Sequence, residues 1–328
     1  MGRYTIRAFL PGDEEAILRL HNLSFSEHEE RTRRHWTWKF RENPLGRTEI
    51  MLAVAEDGRC VGVWPGVTHR FVLDNQPCLA GNHLDLAVDP ELRRGIAGAR
   101  LLTRLGRAYY RAYTGGETRV TWGLPEPQLQ RLGLRLIKFQ VLRDVVFLVR
   151  EPGPTADPPE EVEVRSVEEF GAEAEDLWRR CSNEVGTGIV RDAAYLNWRY
   201  ARHPDHDHLL LEARDRNHGS LRGIAVLREG GWDDSIVSML DWLVPLEDRA
   251  AERALVQYSL RETARLKKPY LAAWFPAPTL QFSRFQNDHG FCAQATPYQA
   301  CFRGTPSRHD RRWMERNWYQ TMGDIDFF

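Results

Sequence analysis

The sequence predicts an α+β fold built twice, as two tandem domains that are each a mixed, largely antiparallel sheet flanked by helices. Three observations predict it. Trp38-Lys39-Phe40 runs to Pro44 and Trp198-Arg199-Tyr200 runs to Pro204, six residues past the tryptophan in both cases (38 to 44, 198 to 204). Leu84-Asp85-Leu86-Ala87-Val88 is answered by Leu240-Asp241-Trp242-Leu243-Val244, ending 50 and 46 residues beyond the respective tryptophans (38 to 88, 198 to 244). Pro125-Glu126-Pro127 ahead of Gly133 is answered by Pro276-Ala277-Pro278 ahead of Gly290. Blocks repeated in one order point to duplication of a whole domain, and 328 residues hold two domains of ordinary size. The expected domains are 1–150 and 160–328, joined by the stiff, proline-rich connector Glu151-Pro152-Gly153-Pro154-Thr155-Ala156-Asp157-Pro158-Pro159.

Each copy opens with a strand followed by a helix. Residues 4–10 alternate, Pro11-Gly12-Asp13 then starts a helix with Ala16, Ile17 and Leu20 on one face, and in the second copy Ser166 with Glu169 reads as a capping box. Met51 to Ala55 and Val61 to Val63 form a hairpin around Asp57-Gly58, matched by Leu209 to Ala213 and Gly223 to Leu227. A third strand ends at Val88, and Leu101, Leu102, Leu105, Tyr109 and Ala112 then recur at helical spacing; Ala251, Ala254, Leu255 and Tyr258 are their counterparts. A further strand, a Pro-x-Pro turn, a short helix and late strands complete each copy. Trp36, Trp38, Phe40, Trp198 and Tyr200 could form an aromatic ligand cage, but because the motif of Trp38 and Trp198 occurs in both copies they read as core, with Lys39 and Arg199 between them pointing to solvent.

Charge and cysteine usage narrow the function classes. Forty-five Lys and Arg against 46 Asp and Glu give a net charge of −1, without the basic field that nucleic-acid binding needs. Five scattered cysteines without CxxC spacing imply neither a disulfide framework nor a metal site. With no signal-like start and no bilayer-length apolar run, a soluble cytoplasmic protein without a membrane partner is expected.

The residues with most chemistry follow Val88. Leu86-Ala87-Val88 ends a strand, Arg93-Arg94-Gly95-Ile96-Ala97-Gly98-Ala99 is a glycine-containing turn, and a leucine-rich helix follows. Such a turn aims unpaired backbone N–H groups and the positive end of the helix dipole outward, which is how a chain holds a pyrophosphate with few basic side chains. An ordinary strand-to-helix turn fits these residues equally well. The second copy reads Pro245-Leu246-Glu247-Asp248-Arg249-Ala250 at this point, with two carboxylates and no glycine, so it is not expected to hold phosphate.

This turn and its helix resemble those of the GNAT superfamily of N-acetyltransferases, in a tandem arrangement. Arg93 takes the Arg/Gln position of that pattern, Gly98 its second glycine, and Ile96 departs from its first. The Trp-x-Phe-x-x-x-Pro segment and the Gly-Asp-x-Asp ending also resemble a set of bacterial tandem GNAT proteins. The resemblance implies acetyl-CoA or another acyl-CoA as co-substrate, bound along Leu86 to Val88 and Arg93 to Ala99. It implies that the Val88 N–H polarises the thioester carbonyl, and that a small-molecule amine is the acceptor. A carrier-protein thioester is an alternative donor, as is an aminoacyl-tRNA, against which the neutral charge weighs. A non-catalytic acyl-CoA-binding or scaffold module is the reading from another class.

Amine attack needs a proton acceptor, and His83 and Asp85 are the catalytic candidates, which strand alternation places on one face. Asp241 stands at the position equivalent to Asp85 in the copy expected to be inert, which favours a shared structural role, whereas His83 has no echo. The tyrosine general acid that many GNAT enzymes carry on the late helix is absent from both Leu129 to Gly133 and Arg284 to Gly290. Asp324 and Asp326 in the tail are candidate ligands for an ammonium or hydroxyl acceptor, the alternative being two surface acids on a segment docked by Trp318, Phe327 and Phe328.

Overall fold

The structure, a computed structural model, describes residues 4–25, 30–153, 157–304 and 309–325. In chain order its first half contains β1 (Tyr4–Ala8), α1 (Glu14–Ser24), α2 (Arg33–Phe40), β2 (Glu49–Ala55), β3 (Cys60–Leu73), β4 (Gln76–His83), β5 (Ala87–Val88), α3 (Gly95–Tyr113), β6 (Thr118–Gly123), α4 (Pro127–Leu132) and β7 (Gln140–Arg150). Its second half contains β8 (Val162–Val167), α5 (Glu173–Val185), β9 (Gly188–Ile189), α6 (Ala193–Leu196), β10 (Leu209–Asp215), β11 (Leu221–Glu229) and β12 (Ile236–Leu243). These are followed by α7 (Arg249–Arg265), β13 (Tyr270–Ala273), α8 (Leu280–Asn287), β14 (Cys292–Gly304) and α9 (Arg311–Asn317). Five-residue π-helical turns extend α4 (Gly133–Ile137) and α6 (Asn197–Ala201).

The chain divides into two compact units. One comprises the described residues of Met1–Arg70, Cys78–Arg143 and Gln299–Arg311; the other comprises those of Phe71–Pro77, Asp144–Tyr298 and Arg312–Phe328. In the first, β1, β2 and β3 pair antiparallel, β4 and β6 pair parallel, and Cys301–Gly304 of β14 runs antiparallel along Val120–Gly123. In the second, β8, β10, β11 and β12 pair antiparallel, β12 and β13 pair parallel, and Leu148–Arg150 of β7 runs antiparallel along β13. The same strand pattern thus occurs twice, as the duplication predicts.

The helical stripe of α3 fixes the first core: Leu101, Leu105 and Tyr109 pack with Trp64 of β3 and Ile137. Each such fully buried side chain contributes about 1.5–3 kcal/mol relative to exposure. The second core sets Ala251, Ala254 and Leu255 of α7 against Leu211, Ala225 and Trp242.

Two local readings are corrected. Ser166 is not a cap but a strand residue opposite Leu211, because ladder pairing continues to Val167; α5 begins only at Glu173. Lys39 and Arg199 do not reach solvent but are 3 % and 5 % exposed. Lys39 ion-pairs with buried Asp85, and Arg199 donates to the carbonyls of Gly323 and Ile325.

Candidate active site

The parallel ladder of β4 and β6 runs from Leu79 opposite Thr118 to Asn82 opposite Trp122 and then stops. Asp85 lies just beyond with φ +50, a left-handed conformation that breaks the strand. The chain then returns to β3, with Ala87 opposite Val63 and Val88 opposite Gly62. Asp89 N donates to Val61 O at 3.1 Å, so the alternation of an antiparallel ladder turns the Val88 N–H away from β3. The Val88 carbonyl, on the same side as that N–H, accepts from Ser24 Oγ at 3.4 Å.

The break at Asp85 also separates the two catalytic candidates. Sequence alternation puts His83 and Asp85 on one face; the structure puts them on opposite faces, because the left-handed residue resets the alternation. His83 turns to Trp64, Tyr109 and Tyr110, whereas Asp85 turns to Arg31, just before α2, and to Lys39 of α2.

Asp85 is clamped by two cations: Arg31 Nη2 lies 2.5 Å from Oδ1 and Lys39 Nζ 3.0 Å from Oδ2. Burial alone would raise this carboxyl, but Lys39 and Arg31 more than offset it and hold the group well below the usual carboxylate range. A carboxylate held ionised this firmly is a poor proton acceptor and a good anchor. His21 Nε2 donates to the Asp85 carbonyl at 2.9 Å, and burial pushes the His21 imidazole down to about 4.

The second half repeats the clamp. Arg191 Nε lies 2.7 Å from Asp241 Oδ1, and the Tyr200 hydroxyl donates to Oδ2 at 2.8 Å. Arg31 and Arg191 each stand seven residues before the repeated tryptophan (31 to 38, 191 to 198), and each is followed by a helix N-cap, Thr32 and Asp192. That equal offset is the sequence signal that marks Arg31, whose run with Arg33 and Arg34 otherwise reads as a solvated helix face.

His83 ends a directed hydrogen-bond chain. Trp64 Nε1 can only donate, and it donates to His83 Nδ1 at 3.2 Å, so the ring proton sits on Nε2 and is given to the Tyr110 hydroxyl at 2.8 Å. Tyr110 continues to Thr121 Oγ1 at 3.3 Å, and Thr121 to the Arg303 carbonyl at 3.5 Å. Burial pushes the His83 imidazole down to about 3. With Nδ1 already accepting and Nε2 already donating, His83 is a neutral link in a packed aromatic cluster.

The turn after Val88 is organised from within. Asp89 Oδ1 accepts from Glu91 N at 2.9 Å, and its carbonyl accepts from Leu92 N and Arg93 N at 2.8 and 2.9 Å. Arg94 then enters α3 with no side-chain cap, and Gly95 takes φ +66. Among the described residues no hydrogen bond takes up the amides of Arg94, Gly95, Ile96 and Ala97. Arg93, Arg94, Gly95 and Ile96 are exposed, Ile96 at 81 %, whereas Ala97 and Ala99 are half-buried. Gly98 has an internal reason to be glycine, since a Cβ there would lie 2.3 Å from the Arg93 carbonyl oxygen. The result is an uncapped helix end whose dipole and free donors favour an anion.

The equivalent end of α7 is closed. Asp248 is its N-cap and accepts from Ala251 N at 3.0 Å, while Arg222 grips both oxygens of Asp248 at 2.7 and 2.8 Å. A carboxylate of the chain itself holds the place an external anion would take.

Of the tail acids, Asp324 is 2 % exposed and gives both oxygens to Arg191 Nη2 at 2.9 and 2.8 Å; Asp326 lies outside the described residues. Burial raises the Asp324 carboxyl and Arg191 counters it. Among the described residues no group of three or more His, Cys, Asp or Glu is placed to hold a metal ion, and no helix is long and apolar enough to cross a membrane.

No family model and no curated protein matches the chain. Solved structures do match it. A GCN5-related N-acetyltransferase from Anabaena variabilis superposes with a TM-score of 0.68 at 11% identity, covering 92% of this chain and 72% of that one. An Enterococcus faecalis protein described as a probable N-acyltransferase gives 0.66 at 11% identity, covering 92% and 73%. A tandem GNAT protein from the clavulanic acid biosynthesis pathway gives 0.58 at 11% identity and spans 93% of this chain and 100% of its own. The chain therefore has the fold of the GCN5-related N-acetyltransferases, in its tandem form.

Proposed function

We propose that this protein is an N-acyltransferase that moves an acyl group, acetyl in the simplest case, from a pantetheine thioester to the amine of a small molecule. The donor site belongs to residues 1–150. The observation that carries the proposal is the uncapped N-terminus of α3, next to the outward N–H of Val88 at parted strand ends, while Asp248 closes the equivalent end of α7.

A phosphate fits that helix end: among the described residues four amides there have no hydrogen-bond partner and no carboxylate caps them, and Arg93 and Arg94 flank them. A bound acyl thioester supplies the electrophilic carbonyl. Val88 N–H is the donor available to that oxygen as charge develops on it, a role whose removal costs roughly 3 kcal/mol in comparable sites. Arg31, Lys39 and Asp85 support the strand break that turns this donor outward. The geometry of His83 and Asp85 supports positioning rather than proton transfer, so the acceptor ammonium loses its proton to water or on a pathway open to water.

One observation favours a second reading, a non-catalytic acyl-CoA-binding module: neither His83 nor Asp85 is placed to take a proton. Turnover separates the two, because binding alone satisfies both.

Calorimetry with acetyl-CoA and longer acyl-CoAs tests the site, using wild type and Ile96→Glu, with thiol release in the presence of amines as the second readout. The exposed side chain at 96 tolerates the change, and a carboxylate beside the free amides should weaken binding about tenfold. Equal affinity in both proteins, or none in either, would sink the donor assignment.

A further inference from the structure

The exposed face of α3 carries a line of arginines that the net charge of −1 conceals. Arg100, Arg104, Arg107 and Arg111 recur at spacings of four, three and four, all exposed, and Arg93 and Arg94 stand at the head of the same helix. The segment from Arg93 to Tyr113 contains no Asp or Glu. Arg104 rests on the Tyr4 ring and donates to its hydroxyl at 3.1 Å; among the described residues none of the six arginines makes an ion pair.

The fold gives no reason for this line. Like charges one turn apart repel, and cations at the first turns of a helix oppose its dipole. The buried stripe of Leu101, Leu105 and Tyr109 lies between the arginine positions in sequence and holds α3 in place without them. The line begins where the free amides favour a phosphate, but Arg107 and Arg111 lie about 18 and 24 Å along the axis from Gly95 at 1.5 Å per residue. That is beyond the reach of a pyrophosphate gripped by the first turn. The occupant must therefore carry one phosphate at the helix end and a row of carboxylates along the helix.

We infer that α3 docks an acidic carrier-protein domain, whose phosphopantetheine phosphate lies at Arg93 to Ala97 and whose acidic helix lies along Arg100, Arg107 and Arg111. This rests on the proposed donor site and names its macromolecular source. The line is one helix wide and regularly spaced, which matches carboxylates one turn apart on a facing helix better than the two phosphate rows of a duplex. The interaction is electrostatic at the rim, so it should strengthen at low salt.

The test is fluorescence anisotropy with four probes on wild type and on the triple variant Arg100→Glu, Arg107→Glu, Arg111→Glu, with circular dichroism confirming the fold. The probes are an acetylated holo acyl carrier protein, the same carrier without its arm, acetyl-CoA and a 20-base-pair DNA duplex. The expected result is carrier affinity at least about tenfold weaker in the variant and falling with salt, acetyl-CoA affinity reduced far less than carrier affinity, and the armless carrier weaker than the holo form. Unchanged carrier affinity in the variant, or duplex bound by wild type as tightly as the carrier, overturns the docking surface. If wild type binds acetyl-CoA but no carrier, the docking surface alone fails; if it binds neither, the donor site fails with it.

Discussion

Arg31 reaches Asp85 across 54 residues of sequence and holds it at 2.5 Å, as Arg191 holds Asp241 at 2.7 Å in the second half. The same pair thus stands just past the end of β4, where Asp85 is left-handed, and within β12, which continues through Asp241 to Leu243.

Replacing Asp85 with Asn should therefore act on stability first. It removes the carboxylate that Arg31 and Lys39, the latter 3 % exposed, both pair with, and breaking a buried pair from one side costs about 3–5 kcal/mol. Urea unfolding of Asp85→Asn and Asp241→Asn should show comparable losses. A variant of Asp85 that kept its midpoint but lost turnover would instead make Asp85 a proton-transfer group.

Acid should destabilise the protein through its buried histidines. His83 and His21 are pushed by burial to about 3 and about 4, below their unfolded value near 6.5. Unfolding thus takes up protons, so their contribution is full above pH 6.5 and is lost as pH falls toward those values. Each group steepens the loss by up to about 1.4 kcal/mol per pH unit. Thermal midpoints between pH 8 and pH 4.5 should fall less steeply for His83→Gln than for wild type. Parallel slopes would exclude His83 from the effect.

The turn before α3 should separate two glycine roles. Gly95→Ala meets no neighbour but must take φ +66, costing roughly 1–2 kcal/mol. At Gly98 an added Cβ would meet the Arg93 carbonyl at 2.3 Å, so Gly98→Ala should displace the turn and abolish acetyl-CoA binding. Calorimetry and thermal melts on both variants compare the two.

Acetyl-CoA should bind once per chain. Asp248→Ala removes the cap of α7 and leaves Arg222 without its bidentate partner, lowering stability by about 0.5–2 kcal/mol. A calorimetric stoichiometry of two in wild type would overturn the assignment of the donor site to the first half.

The order of elements was legible because the duplication supplied a second reading of every block, and the tandem fold follows from it. The contrast between the two helix ends was legible for a similar reason: Asp248 and Gly95 are local chemistry. What was not legible depends on distant partners. Lys39 read as a solvent residue because Asp85, which neutralises it, lies 46 residues away. His83 and Asp85 read as neighbours on one face because a left-handed aspartate has no sequence signature of its own. The arginine line of α3 was visible at helical spacing but was lost when charge was summed over the chain.

Asp248 makes the end of α7 self-sufficient, whereas the end of α3 waits for a visitor. On the proposed donor assignment, order at the head of α3 depends in part on the ligand. Amide exchange at Gly95 to Ala97 should slow when the donor site fills, while the Ala251 amide, already held by its own cap, should exchange at the same rate in both states.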